Sequence, residues 1–264
     1  MKAILGTSAL LLLAGCGGGD NTAHDAASLQ GLWYEREVVL QQTYVNPLIV
    51  VQTGQDILVT TCDRSTTALR LIPGSNGGKL VQGDGQEYTW QPAGEGTMTI
   101  PHRAAAYALL RRFSPAPRFD SGRLALGGTA LTTLQANQDV CAGISGQPQQ
   151  TGNGEQTIVR TVLISAPYMG SHVQLRLGFQ ALAAGEFTVR DRTGFLRNPA
   201  GSTWVELQSP AFTGVAGQGS LAISAGQVLV KAGANGIHTF EGALITASGA
   251  QVTFSAEVVL ERRP

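Results

Sequence analysis

Four histidines, three cysteines, and a scatter of carboxylates and serines are the side chains of this chain that could do chemistry by type. Zinc chemistry needs several ligands on one ion, and spacings such as His-x-His or His-Glu-x-x-His deliver them from one element. His24, His102, His172 and His238 each stand alone, without such a neighbour. His172 opens a strand on its polar face, where solvation is expected. His238 and Glu241 are three apart, which on a strand sends the two side chains to opposite faces. Nucleophilic hydrolysis fares no better, because Gly143-Ile144-Ser145-Gly146 lacks the Gly-x-Ser-x-Gly elbow. Glu35 and Glu37 share one strand face at about 7 Å, with Arg36 pointing the other way, which is the pattern of a solvated face. The glycines at 74–78 and 83–85 precede no helix start that could aim amides at an anion. Arg190-Asp191-Arg192-Thr193-Gly194 reads as a charged turn, and Asp63-Arg64 beside Cys62 as a surface pair. No catalytic residue, metal ligand or cofactor site is therefore assigned.

The three cysteines divide into two kinds. Cys16 follows Lys2, an apolar run over residues 3–13, and the small residues Ala14 and Gly15. The run is shorter than the roughly 20 residues that cross a bilayer core, and it fits the apolar region of a secretory signal. Leu13-Ala14-Gly15-Cys16 resembles the lipobox of bacterial lipoproteins. That resemblance implies removal of residues 1–15, acylation of Cys16 (palmitate among its chains), and an envelope protein held by its lipid. Two or more acyl chains anchor stably where one does not. Gly17, where an Asp would resemble an inner-membrane retention signal, points to the outer membrane. Residues 16–28 are small and polar, and as a flexible tether they would reach on the order of 20 Å.

Cys62 and Cys141 then remain as an even pair, which in an oxidising compartment predicts a disulfide. Two buried thiols or a metal pair are the competing readings, but neither Cys has a Cys-x-x-Cys partner or a histidine cluster nearby.

Composition limits the partners. Acidic and basic residues number 18 each, and loss of Lys2 with the leader leaves a formal charge of minus one. Arginines are scattered singly, so the clustered basic face of a nucleic-acid binder is missing. With 43% hydrophobic and 14% charged residues the chain can bury a sizeable core. Its 34 glycines punctuate short apolar stretches, as in many short strands joined by tight turns.

The elements that must position these residues are strands. Val173, Leu175, Leu177 and Phe179 alternate with polar neighbours, and Val252, Phe254, Ala256, Val258 and Leu260 repeat that period of two. Further strands are expected at 32–40, 47–52, 55–62, 67–72, 86–91, 123–126, 157–165, 186–190, 203–208, 227–231 and 237–246. Turns are expected at 73–78, 83–85, 199–202 and 234–236. One stretch rich in helix formers, 103–112, predicts a short helix, with a strand as its alternative. The glycine- and glutamine-rich stretch 143–155 reads as a linker. The resulting expectation is an all-β chain with two antiparallel β-sandwich or small barrel domains, at 29–142 and 156–264. A single β-structure with a long surface loop is the competing arrangement.

Gly31-Leu32-Trp33, opening the first strand, resembles the Gly-x-Trp that starts the first strand of lipocalin-like barrels. The acidic turn and base-closing Arg of that family have no match here. The resemblance implies that Trp33 and Trp90 line or plug an apolar cavity; ordinary core packing is the alternative, and the favoured one. Three functions follow as expectations. The first is a non-catalytic envelope lipoprotein with a structural or interaction role among other envelope proteins. The others are a lipocalin-like carrier of a small apolar ligand and a hydrolase of envelope polymers.

Overall fold

The computed structural model describes residues 29–39, 42–75, 77–92, 97–99, 108–112, 114, 116–212 and 219–260. Its first eight strands run up and down in sequence order: β1 (Gly31–Val39), β2 (Gln42–Thr53), β3 (Asp56–Thr60), β4 (Thr66–Gly74), β5 (Gly77–Gln82), β6 (Glu87–Pro92), β7 (Thr97–Thr99) and β8 (Ala108–Arg112). Each pairs antiparallel with the next, and β8 returns to β1 through Leu32–Arg112 and Tyr34–Leu110, closing a barrel. Strand parity fills its interior with Trp33, Val50, Ile57, Leu71, Leu80 and Trp90, beside Leu29 from the entering chain. The Trp33 indole N–H donates to the Leu29 carbonyl at 2.7 Å. Where a helix was expected at 103–112, residues 108–112 are strand β8 and 103–107 lie outside the described residues. Pairing that covers the open edges of β1 and β7 outweighs the helix propensity of Ala108-Leu109-Leu110.

A larger sheet follows, of β9 (Gly122–Gly128), β10 (Leu134–Ala136), β11 (Cys141–Gln150), β12 (Gln156–Tyr168), β13 (Ser171–Phe179), β14 (Gly185–Val189), β15 (Ser202–Gln208), β16 (Ser220–Leu221), β17 (Ile223–Ala232), β18 (Ile237–Thr246) and β19 (Gln251–Val259). Its order is β10-β9-β19-β18-β17-β14-β15-β13-β12-β11, with β16 on β15. β14 and β15 meet in a two-residue parallel seam, Thr188–Ser202 and Val189–Thr203. There the sheet folds over itself, and Leu124, Val228, Phe240 and Phe254 of one half share a core with Val162, Ile164, Leu175 and Leu177 of the other. The fold is thus all-β, a closed barrel followed by a sandwich.

Two expectations about organisation differ from this structure. The linker expected at 143–155 is mostly strand: β11 pairs with β12 over ten residues, from Cys141–Ser165 to Gln150–Gln156. β11 ends the sheet order, and an edge strand paired by its backbone needs few large apolar side chains. Gly143 is also required by close approach, since a Cβ there would lie 2.6 Å from Asn46 Oδ1. β9, β10 and the start of β11, expected in the first unit, belong to the sandwich. The run Arg190–Gly194, expected as a turn, leads into helix α1 (Arg192–Arg197), because the Asp191 carboxylate caps it by accepting from Gly194 N–H at 2.6 Å.

Cys62 and Cys141 are bonded, with their Cα atoms 5.3 Å apart. Cys62 lies between β3 and β4, and Cys141 opens β11, so the bond ties barrel to sandwich rather than bracing one unit. It closes a loop of 79 residues, for which the chain-entropy model gives about 4–5 kcal/mol of stabilisation. Cys62→Ala with Cys141→Ala, or reduction of the parent protein, should lower the unfolding free energy from urea titration by that amount, read as a fall in the midpoint. A midpoint unmoved by reductant would show that the bond constrains nothing.

Candidate binding cleft at the barrel–sandwich joint

The bond is the centre of a wider joint. Leu32, Tyr34 and Val45, on the outer face of the barrel, pack with Phe119 and both cysteines, and Leu163 of β12 lies against them. Arg64, two residues after Cys62, crosses to the sandwich. Its Nη1 donates to the Asp139 carboxylate at 3.0 Å, Nη2 to the Asp139 carbonyl at 2.7 Å, and Nε to Ser165 Oγ at 3.2 Å. Its guanidinium also sits 4.9 Å from the centroid of the Phe119 ring. Arg64 and Asp139 both hold positive φ, 64° and 54°, a region non-glycine residues adopt only where the surroundings fix them. The rest of the seam is polar and paired. Tyr34 donates to Asp120 at 2.6 Å, Ile144 N–H to Asn46 at 2.8 Å, and Gln174 to the Asp63 carbonyl at 2.6 Å.

One side of this joint opens into a cleft of about 360 Å³. The barrel contributes Glu35, Asn46, Pro47 and Leu48, the Cys62 loop contributes Thr61, Asp63 and Ser65, and β11 and β12 form the opposite wall with Gly143, Ser145 and Thr161. The lining carries two carboxylates, an amide and several hydroxyls, the chemistry of hydrogen-bonded recognition. Asp63 is itself committed: Thr61 and Ser65 hydroxyls donate to it at 2.5 and 2.7 Å, and Ser65 N–H at 3.0 Å. Burial pushes its pKa up, but these hydrogen bonds and the Arg176 charge outweigh that and hold it below the ordinary 3.8. A carboxylate so bound stays ionised and structural, a poor proton donor or base near neutral pH.

His172 stands at the same joint. Burial lowers its pKa from the ordinary 6.5, the Arg64 charge lowers it further, and Asp63 opposes them. Thus the histidine expected to be solvated is partly buried, within electrostatic reach of Arg64 and Asp63.

The other sequence candidates separate. Trp33 and Trp90 are core residues of the barrel and do not line the cleft. Glu35 does, but the side chain of Glu37 is outside the described residues, as are Cys16, His24 and His102. His238 is buried, within 3.1 Å of the Gly236 carbonyl through Nδ1 and stacked with Phe240, while Glu241 pairs with Lys231 at 2.9 Å. Ser145 lies in a strand on the cleft wall. Among the described residues no three histidines, cysteines or carboxylates converge as a metal site. Sequence reading missed Asn46, Asp139, Ser165 and Gln174, whose roles arise only when β2, β12 and β13 meet. Asp63-Arg64 beside Cys62 was the visible signal.

Because both shifts are downward, the unfolded chain binds more protons than the folded one between each folded value and its ordinary value. Stability carried by His172 is therefore present above pH 6.5 and lost as pH falls below it, followed at lower pH by that of Asp63. The melting temperature should fall on acidification below 6.5, and His172→Gln should flatten the first part of that fall. A variant whose melting curve tracks the parent at every pH would remove His172 from the joint's energetics. Comparison of the chain with protein-family models, with curated proteins and with solved structures finds no match.

Proposed function

We propose that the chain is a lipid-anchored envelope protein, fixed through Cys16 to the outer membrane, with a non-catalytic interaction role. Its barrel and sandwich bind other envelope components through one fixed surface. The observation that carries this reading is the cleft, whose two walls come from different units locked together by a disulfide and the Arg64 hydrogen bonds. A surface already ordered before binding avoids the entropy of ordering it afterwards. The disulfide suits an oxidising compartment, as does the signal-like run before Cys16. Cys16→Ser should move the protein from the membrane fraction to the soluble one, and a photocrosslinker at Ser145 should capture a discrete envelope protein in cells. Unchanged membrane retention would defeat the anchor, and crosslinking to nothing would defeat the interaction role.

A second reading, carriage of a small apolar ligand, is favoured by one specific observation. Trp90 is only 5% exposed inside the closed barrel, yet its indole N–H finds no acceptor among the described residues. A buried donor left unpaired costs free energy, on the order of 1–3 kcal/mol. An apolar molecule bearing one carbonyl or carboxylate would relieve it. Native mass spectrometry of gently purified protein should then show an added mass that Trp90→Phe, which keeps the ring and removes the donor, weakens. A single apo mass in both proteins would end this reading.

A further inference from the structure

Exposed large apolar residues are few among the described residues, and they are not evenly spread. Met169 lies in a turn and Ile245 on the sandwich, whereas Val51 (40% exposed), Leu58 (45%) and Ile72 (47%) all lie on the outer face of β2, β3 and β4. Their placement follows from register. Val51 is opposite Leu58, and Leu58 is opposite Ala68, so the three make one row across the sheet. Arg70, opposite Val81, forms part of the next row, and Ile72 lies beyond it. Between these rows is a shallow concavity of about 520 Å³, floored by Val51, Leu58, Ala68 and Val81 and edged by Thr53, Asp56 and Arg70. Inward neighbours such as Ile57 and Leu71 already supply the barrel's interior face, so this outer face has a separate reason to be apolar. Single exposed apolar residues need no explanation, but the adjacent Val51, Leu58 and Ala68 form a row that does, with Ile72 on the same face across the Asp56–Arg70 row.

The place where the chain enters the barrel says what covers it. Leu29 is buried in the barrel core, and its N–H donates to Gln52 Oε1 at 2.7 Å, one residue from Val51. Gln52 points into the barrel and Val51 out of it, so the chain enters at the end of the barrel whose outer wall carries Val51 and Leu58. Twelve residues lie between Cys16 and Leu29, and a chain of that many residues reaches on the order of 20 Å. A tether of that length holds the patch at high effective concentration over whatever carries the lipid, so a weak contact suffices. The polar groups nearby nearly balance in charge: Asp56 against Arg70 on the concavity, and Lys79 paired with Glu87 at 2.7 Å beside Ile72. A balanced, apolar surface fits uncharged lipid rather than an anionic headgroup layer, which would call for clustered Lys and Arg.

We propose that the outer face of β2–β4, centred on Val51, Leu58 and Ile72, rests on the bilayer that holds the anchor, seating the barrel on the lipid. This rests on the Cys16 anchor proposed above, and the experiment separates the two. Full-length mature protein carrying Leu58→Cys or Ile245→Cys, each labelled with an environment-sensitive fluorophore, is reconstituted into phosphatidylcholine vesicles containing brominated lipid. Quenching at position 58 is expected to exceed that at position 245 severalfold and to persist at high salt. Val51→Thr together with Ile72→Thr, which keep β-branched side chains in their strands, should reduce the quenching at 58 while the circular dichroism spectrum stays that of the parent. Equal quenching at 58 and 245 in protein that remains with the vesicles overturns the seating and leaves the anchor intact. Protein that fails to remain with the vesicles overturns both. Shielding at 58 that grows with protein concentration in lipid-free detergent would assign the face to a second copy of the chain and overturn the lipid assignment.

Discussion

The guanidinium of Arg64 is the constraint on which the joint depends. It contacts a carboxylate, a backbone carbonyl, a hydroxyl and an aromatic face, and these partners come from three separate stretches of the sandwich: Phe119, Asp139 and Ser165. A planar fork can satisfy so many acceptors at once where an ammonium could not. The disulfide two residues earlier limits how far the two units can part, but a single covalent link still permits rotation. The hydrogen-bonded arginine fixes the orientation, and Asp139 also receives the Phe119 N–H at 3.2 Å. Two non-glycine residues with positive φ facing each other indicate that backbone cost has been accepted to bring these groups together.

The cleft is a by-product of that locking. Its barrel wall consists of residues along β1 and β2 near Glu35 and Asn46, and its sandwich wall of the outer face of β11 and β12. Neither wall encloses a space by itself. Glycine at 143 lets Asn46 reach the backbone of β11, so the same small residue that weakens a strand's packing here allows two units to meet. A comparable substitution of space for side chain occurs at Gly178, where a Cβ would lie 1.9 Å from the Trp204 indole nitrogen. Trp204 packs over that position and is covered by Arg192 at 5.5 Å. Both glycines lie on the outward face of the same half of the sandwich, which is therefore shaped for close contact.

Much of this architecture was legible in the residues, because alternation along a strand is a local signal. The strand at 172–180 matches β13 almost residue for residue, and the turns at 73–78, 83–85 and 234–236 join strands as their Gly, Pro and Asn content demands. The disulfide was legible from the even pair of cysteines left once Cys16 is set aside, but its role was not. Placing Cys141 in the first unit depended on reading 143–155 as a linker, and an edge strand made of Gly, Gln and Ser carries no apolar period to betray it. The strand at β8 was hidden for a related reason: Ala and Leu favour a helix locally, and only the unpaired edge of β1, distant in sequence, decides otherwise. The joint was least legible of all, since its hydrogen bonds link residues about 75 to 111 apart. Of its parts, the two cysteines, Asp63-Arg64 and His172 attracted attention from sequence.

The order of strands in the sandwich bears on how the chain is built. The barrel pairs each strand with the one just made, apart from its final closure, so it can assemble as it emerges. β9 differs: its outer neighbour β10 is three residues long, and its other neighbour, β19, is among the last strands of the chain, so that Arg123 waits for Glu257, 134 positions downstream. Until that late segment arrives, half of the sandwich lacks the strand that sits at its middle. As the chain emerges, a finished cylinder therefore trails an incomplete second body, and the covalent bond between the units can form before the body it fastens is whole.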